Sequence, residues 1–161
     1  MQNLAKIGLL DPVPLSPDLV QRMLASARQR LRDAERTQNS AETRFDCAYT
    51  AIRTVADIGL HPNGFRTATS KPGHHQTAIA SLAHTLGVEL ATVRVLDGLR
   101  KQRNLSEYDG DSVTQAALQE CLQQARDMLL RIDRVIDLAP SFPDSIGLQR
   151  LSGKRDVLQS I

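Results

Sequence analysis

The chain has 161 residues, of which 41% are hydrophobic and 24% charged, and its formal net charge is +2 at pH 7. This length predicts a single domain, and the composition is typical of soluble globular proteins, so multidomain, disordered and fibrous classes are excluded. The charge is too small for a protein that coats nucleic acid. Aromatic residues, at 3%, are too few for a platform that stacks RNA bases.

No apolar run reaches the roughly 20 residues of a membrane-spanning helix, and the first residues lack the apolar stretch of a signal peptide. We therefore expect a cytoplasmic protein without membrane contact. The two cysteines, Cys47 and Cys121, are far apart and form no Cys-x-x-Cys pair. We expect two buried thiols rather than a disulfide or a zinc site.

The predicted fold class is all-α. Five segments place apolar residues at helical spacing, and none shows the alternation that is typical of a β-strand. We predict an up-and-down bundle of about five helices over residues 16–138. Residues 1–15 contain two prolines and are predicted to form a lead-in with at most one helical turn. Residues 139–161 form a C-terminal tail that is either docked or flexible.

The first two predicted helices have recognisable starts. Ser16, followed by a proline, is an N-cap for a helix over about 17–37. Asn39 is predicted to cap the second helix, over about 40–59, and Gly59 to end it. The second helix carries one continuous apolar stripe, made of Phe45, Ala48, Tyr49, Ile52, Val55 and Ala56.

A stretch rich in proline and glycine separates these helices from three more. Residues 61–73 are predicted to form a surface loop. The third helix begins near His74 and stops at Gly87, which is placed as a C′ glycine. The fourth helix reaches about Asn104 or a little beyond. Ser112 is predicted to cap the fifth helix, which continues for about seven turns.

The adjacent pair His74 and His75 is the one arrangement that suggests a metal ligand set. Neighbouring residues on a helix point about 100° apart, and neither histidine has a His or Glu four residues further on. The sequence also contains no nucleophile elbow and no glycine-rich phosphate loop. We therefore expect no metal site, no cofactor and no nucleophilic triad.

Polar groups concentrate at the end of the fourth helix. Arg100, Arg103, Asn104 and Glu107 fall at i, i+3, i+4 and i+7, which predicts one exposed stripe, and Tyr108 follows at the turn. One interpretation is a solvated face whose basic residues complement the helix dipole. The other is an anion site, because arginine beside an amide and a phenol hydroxyl can hold a phosphate.

Three stretches of this chain occur in the same order in a known family: Ala48 to Arg53, Gly73 to His75, and Leu96 to Gly110. Over about residues 4–137 the chain resembles the HEPN domains of prokaryotic defence and toxin–antitoxin loci. The resemblance implies an all-α fold and a homodimer, and it implies that the component binds RNA or a nucleotide-bearing partner.

The family signature is an Arg, often followed by Asn, and then a His after four to six intervening residues, where a homodimer brings two copies together. Arg103 and Asn104 match this signature, and Tyr108 stands at the place of the histidine. The resemblance implies a dimer cleft lined by Arg103, Asn104 and Tyr108 of both protomers. Arg103 and Tyr108 are then the candidate catalytic residues of a metal-independent endoribonuclease. Tyrosine is a poor base at neutral pH, so this departure weakens the expectation of RNA cleavage.

Arg100 lies on the same predicted stripe and joins the candidate ligand-binding residues. Two other interpretations stay open. The chain is a non-enzymatic antitoxin or adaptor that binds a cognate partner protein through its helical faces. Alternatively, it is a degenerate ribonuclease toxin in which His75 replaces the missing histidine. A related subgroup of the family pairs with a small nucleotidyltransferase, which makes such a protein a further candidate partner.

Overall fold

Helices dominate the structure, a computed structural model that describes residues 1–108 and 112–138. The elements in chain order are α1 (Gln2–Lys6), β1 (Leu10–Pro12), α2 (Pro17–Glu35), α3 (Ala41–Leu60), a 3-10 turn (His61–Asn63), β2 (Phe65–Thr67), α4 (His74–Thr85), α5 (Leu90–Tyr108) and α6 (Gln115–Leu138). The predicted all-α bundle is confirmed. The predicted tail over 139–161 lies outside the described residues. Within the described part, none of the helices combines the length and apolarity that a bilayer crossing requires.

Two serines start the first two long helices. The Ser16 hydroxyl accepts a hydrogen bond from the Leu19 N–H at 3.4 Å, as predicted for the cap of α2. The cap of α3 is Ser40, whose hydroxyl accepts from the Thr43 N–H at 3.2 Å. The predicted cap Asn39 is wrong, because its side chain instead donates to the Asp33 carbonyl at 3.0 Å and closes the end of α2.

Helix α3 is the centre of the bundle and packs against α2, α4, α5 and α6. All residues of its predicted apolar stripe are buried, namely Phe45, Ala48, Tyr49, Ile52, Val55 and Ala56. The prediction that Gly59 ends this helix is wrong. Gly59 is buried inside α3, where a Cβ atom would lie 2.9 Å from the Thr85 Oγ1 of α4. The missing side chain therefore permits close approach of α3 and α4.

A small antiparallel sheet joins the lead-in to the connection between α3 and α4. Leu10 pairs with Thr67 and Pro12 with Phe65. The sheet corrects two predictions: the chain contains two three-residue strands, and residues 61–73 are not wholly a surface loop, because His61, Thr67 and Ala68 are buried. Three residues are too few to show an alternating pattern, and the partners are distant in sequence.

The ends of α4, α5 and α6 can be compared with the remaining predicted helix boundaries. After α4 the chain turns at Gly87, with φ of +60°, which confirms its predicted role as a C′ glycine. Helix α5 runs on to Tyr108, beyond the end that was predicted for it. The cap of α6 is Thr114, whose hydroxyl accepts from the Ala117 N–H at 3.2 Å, so the predicted cap Ser112 is wrong. Both cysteines are buried and free, as predicted.

Candidate functional site

Three arginines from two helices converge where α3, α4 and α5 meet. We call Arg53 of α3 with Arg100 and Arg103 of α5 the arginine cluster. All three guanidinium groups interact electrostatically with the His75 imidazole in the first turn of α4 and with the Tyr49 hydroxyl of α3. Helical spacing explains the arrangement, since Tyr49 and Arg53 are four residues apart on α3 and the two α5 arginines are three apart.

One ion pair of the cluster connects two helices. The Arg103 Nε donates to the Asp46 Oδ1 of α3 at 3.0 Å. The side chain of Arg103 is 26% exposed and that of Asp46 is 50% exposed. This pair fixes the end of α5 against the first turns of α3, and the exposed carboxylate stands at the rim of the cluster.

A second ion pair lies within α5. The Arg100 Nε donates to the Asp97 Oδ1 at 2.8 Å, and the Lys101 Nζ lies 3.0 Å from the Asp97 Oδ2. Partial burial acts to raise the pKa of Asp97, but the hydrogen bonds from Arg100 and Lys101 outweigh it and lower the pKa below its usual value. Asp97 is therefore a firmly ionised partner that positions Arg100.

A third ion pair lies within α3 and is supported by the small sheet. The Arg53 Nη1 lies 3.5 Å from the Asp57 Oδ2, and the Thr67 hydroxyl of β2 donates to the Asp57 Oδ1 at 3.3 Å. Burial raises the pKa of Asp57, while Arg53, the Thr67 hydroxyl and His74 act to lower it. The sheet thus contributes to the position of Arg53.

In the polar stripe predicted at the end of α5, the three side chains that the structure describes, those of Arg100, Arg103 and Asn104, are partly buried instead of exposed. Arg100 is only 17% exposed, and Arg103, at 26%, also faces α3 and α4. The exposed face of α5 carries the apolar residues Val95 and Leu105 together with Arg94 and Lys101. This helix therefore turns Arg100 and Arg103 inward, beside the buried Leu96 and Leu99, and leaves part of its apolar surface exposed.

His75 is half-buried beside the arginine cluster. Burial, together with repulsion from Arg53, His74, Arg103 and Arg100, lowers its pKa to about 4. The imidazole is therefore neutral at pH 7 and has one nitrogen that accepts a hydrogen bond. It belongs to the first turn of α4, whose backbone N–H groups have no intrahelical acceptors and add positive potential to the cluster.

Tyr49 and Arg53 are members of the site that sequence reasoning missed, and Tyr49 is the more unusual of the two. Its side chain is 2% exposed, and its hydroxyl has no hydrogen-bond partner among the described residues. Burial raises the pKa of Tyr49 to about 12, against the opposing effect of the three guanidinium groups. The hydroxyl is therefore protonated at every physiological pH. The available signal was the i, i+3, i+7 spacing of Asp46, Tyr49 and Arg53 within an otherwise apolar stripe.

The structure brings together some of the predicted site residues. Arg100 and Arg103 interact electrostatically with His75, so these three predicted residues lie close together. Asn104 is half-buried on α5 next to Arg103 in sequence. Tyr108 is the last residue of α5, and its side chain lies outside the described part of the structure.

An open groove of about 360 Å³ adjoins Arg103. Five lining residues carry polar groups, namely Glu42, Asp46, Thr43, Ser106 and Arg103, and the sixth, Phe45, is almost completely buried. The two carboxylates, Glu42 and Asp46, give this groove negative charge and hydrogen-bond acceptors beside the Arg103 guanidinium.

Within residues 1–108 and 112–138, no three His, Cys, Asp or Glu side chains are grouped closely enough to hold a metal ion. No protein-family model, no curated protein and no solved structure shows significant similarity to this chain.

Proposed function

We propose that the chain binds a phosphate of RNA, or of a nucleotide-bearing partner, at the arginine cluster. The observation that carries this proposal is the convergence of three guanidinium groups beside a neutral histidine and the first turn of α4. Guanidinium groups and helix N-terminal amides are the donors that recur in phosphate recognition. The resemblance to HEPN domains, whose signature arginine corresponds to Arg103, supports the same ligand class.

The aspartates that pair with the arginine cluster affect how a ligand binds there. Each arginine already has a carboxylate partner, so a phosphate shares the guanidinium groups with Asp46, Asp57 and Asp97. Ion pairs at a protein surface contribute only about 0 to 1 kcal/mol, so weakening the pair with the half-exposed Asp46 costs little. The near balance of charge in the cluster favours moderate, salt-dependent affinity over tight nonspecific binding.

The protonation state of His75 favours binding over cleavage. Attack of a 2′-hydroxyl on the adjacent phosphate needs one group that accepts a proton and another that donates one to the leaving oxygen. A pKa of about 4 makes His75 a weak base at pH 7 and leaves it no proton to donate as an imidazolium. We therefore propose a component of a toxin–antitoxin or defence system that holds RNA or a nucleotide without cleaving it efficiently.

A second candidate function, that of a protein-interaction module, is favoured by exposed apolar residues on the outer face of α5. Ala91, Val95, Gly98 and Leu105 follow one another at spacings of four, three and seven residues, and all are exposed. We propose that a second copy of the chain, or a partner protein, packs on this stripe. The stripe lies on the side of α5 opposite Arg100, so a dimer formed through it carries two separate arginine clusters. Sedimentation of wild type and Val95→Glu tests this proposal, which predicts a dimer that the substitution dissociates.

Fluorescence anisotropy with a labelled ten-nucleotide single-stranded RNA tests the main proposal. We expect Arg103→Ala to weaken binding about tenfold or more, because a hydrogen bond to a charged group contributes about 1.5 to 3 kcal/mol. Arg30→Ala is the matched control, because Arg30 is exposed on α2 and this substitution removes the same charge at a distant place. Equal affinities of the two variants, or no binding by the wild type, would refute the proposal.

A further inference from the structure

The hydroxyl of Tyr49 is a buried polar group without a hydrogen-bond partner in the part of the chain that the structure describes, and this situation is energetically unfavourable. It has no hydrogen-bond partner among the described residues, although its side chain is almost completely buried. Leaving a buried hydroxyl unpaired is costly, so such groups are rare in proteins and each one requires an explanation. A phenylalanine would fill the same space without this cost.

The charged groups that the structure describes around this hydroxyl offer it hydrogen-bond donors but no acceptor. The guanidinium groups of Arg53, Arg100 and Arg103 interact electrostatically with it, and guanidinium groups only donate hydrogen bonds. These three groups therefore bring donors and no acceptor to the hydroxyl, whose own O–H is also a donor. An oxyanion is the ligand that supplies several acceptor sites at one place, so it can satisfy the hydroxyl and the guanidinium groups together.

We propose that Tyr49 donates a hydrogen bond to an oxygen of the phosphate that the arginine cluster binds, and so forms the floor of the anion site. This inference rests on the proposed function and adds a residue and a contact to it. The hydroxyl is closed to solvent, so a ligand reaches it when neighbouring side chains move. The Arg103 side chain, which is held by the half-exposed Asp46, can move at small cost. Tyr49 is thus a binding residue, and it takes no part in proton transfer.

The substitution Tyr49→Phe separates the two consequences of this proposal. Without ligand, the variant loses an unpaired hydroxyl, so we expect its melting temperature to equal or exceed that of the wild type. With the labelled ten-nucleotide RNA, we expect about tenfold weaker binding or more, since the lost hydrogen bond is to a charged acceptor. Ser81→Ala is the matched control: its buried hydroxyl donates to the Thr77 carbonyl within α4. That variant should lose stability and keep its affinity for RNA.

Inorganic sulfate is a second probe that separates this inference from the proposed function. We expect sulfate to raise the melting temperature of the wild type and to raise that of Tyr49→Phe by much less. RNA binding that depends on Arg103 but is equal in wild type and Tyr49→Phe overturns the inference and leaves the proposed function intact. Sulfate binding that depends on Tyr49, without any RNA binding, supports the anion site and overturns the RNA ligand. A lower melting temperature of Tyr49→Phe without ligand also overturns the inference, because the hydroxyl then has a partner within the protein.

Discussion

Replacing Asp46 by asparagine should strengthen the binding of RNA. Asp46 accepts a hydrogen bond from Arg103 at 3.0 Å, so its carboxylate competes with a phosphate for the same guanidinium. A phosphate on the other side of that guanidinium lies about 6 Å from the carboxylate, where the repulsion is about 0.7 to 3 kcal/mol for effective dielectric constants between about 80 and 20. Because Asp46 is half exposed, the lower part of this range applies, about 1 kcal/mol.

Asp46→Asn is therefore expected to lower the dissociation constant for the labelled RNA about fivefold at low salt, and less at high salt, where the repulsion is screened. The free energy of unfolding should change by less than about 1 kcal/mol, since a surface ion pair contributes little. Anisotropy titrations at two salt concentrations and chemical denaturation measure the two effects.

Glu35→Gln is the matched control for this prediction. Glu35 pairs with Arg126 at 2.8 Å, links α2 to α6 and is similarly exposed, so the variant has the same net charge as Asp46→Asn. Its affinity for RNA should equal that of the wild type. Weaker binding by Asp46→Asn would refute the reasoning, because it would mean that Asp46 positions Arg103 for the ligand instead of competing with the ligand.

Further predictions concern packing, pH and catalysis. Gly59→Ala should lower the free energy of unfolding by about 1 to 3 kcal/mol, because its Cβ would meet the Thr85 side chain. Gly98→Ala should leave the free energy of unfolding unchanged, because a Cβ atom at this position would have no atom of another described element within 4 Å. The pKa of folded His75 is about 4, so the unfolded chain binds the proton first and stability should fall as the pH drops from about 6.5 to about 4. If the denaturation midpoints of wild type and His75→Gln fall equally over this pH range, the low pKa of His75 is contradicted. RNA cleavage without metal should be weak, and Tyr108→His should increase it; strong cleavage by the wild type would show that the enzyme interpretation is correct.

The long helices could be predicted because their buried faces repeat at helical spacing. The stripe of α3 from Phe45 to Ala56 is an example, since every position in it is buried. Helix ends were less predictable. Asn39 and Ser40 are both good caps, and only the position of the Asp33 carbonyl decides which one begins α3. The strands of the small sheet are three residues long, and neither of them contains enough positions to reveal a period.

The candidate site was predicted in part. Arg100 and Arg103 were chosen by residue type and spacing, and His75 was chosen as a replacement for the histidine missing from the family signature; these criteria do not depend on which face of α5 is buried. Periodicity correctly predicts that Leu96 and Leu99 of α5 point inward, but Leu105 on the other side is apolar too, and the inward position of Arg103 next to the buried leucines was not foreseen. Tyr49 was overlooked because a tyrosine in an apolar stripe is usually a core residue. Its missing hydrogen-bond partner becomes visible only when the side chains around it are placed.

The pairing of β1 with β2 has a consequence for the order in which the site assembles. During synthesis β1 emerges early, and it has no partner until all of α3 and the 3-10 turn have followed. Only then does Thr67 reach Asp57, which in turn holds Arg53. Contacts between segments distant in sequence form slowly, because a long loop must close first. The bundle of α2 and α3 is therefore free to form before the arginine cluster is complete, and ligand binding should appear later in refolding than helix formation.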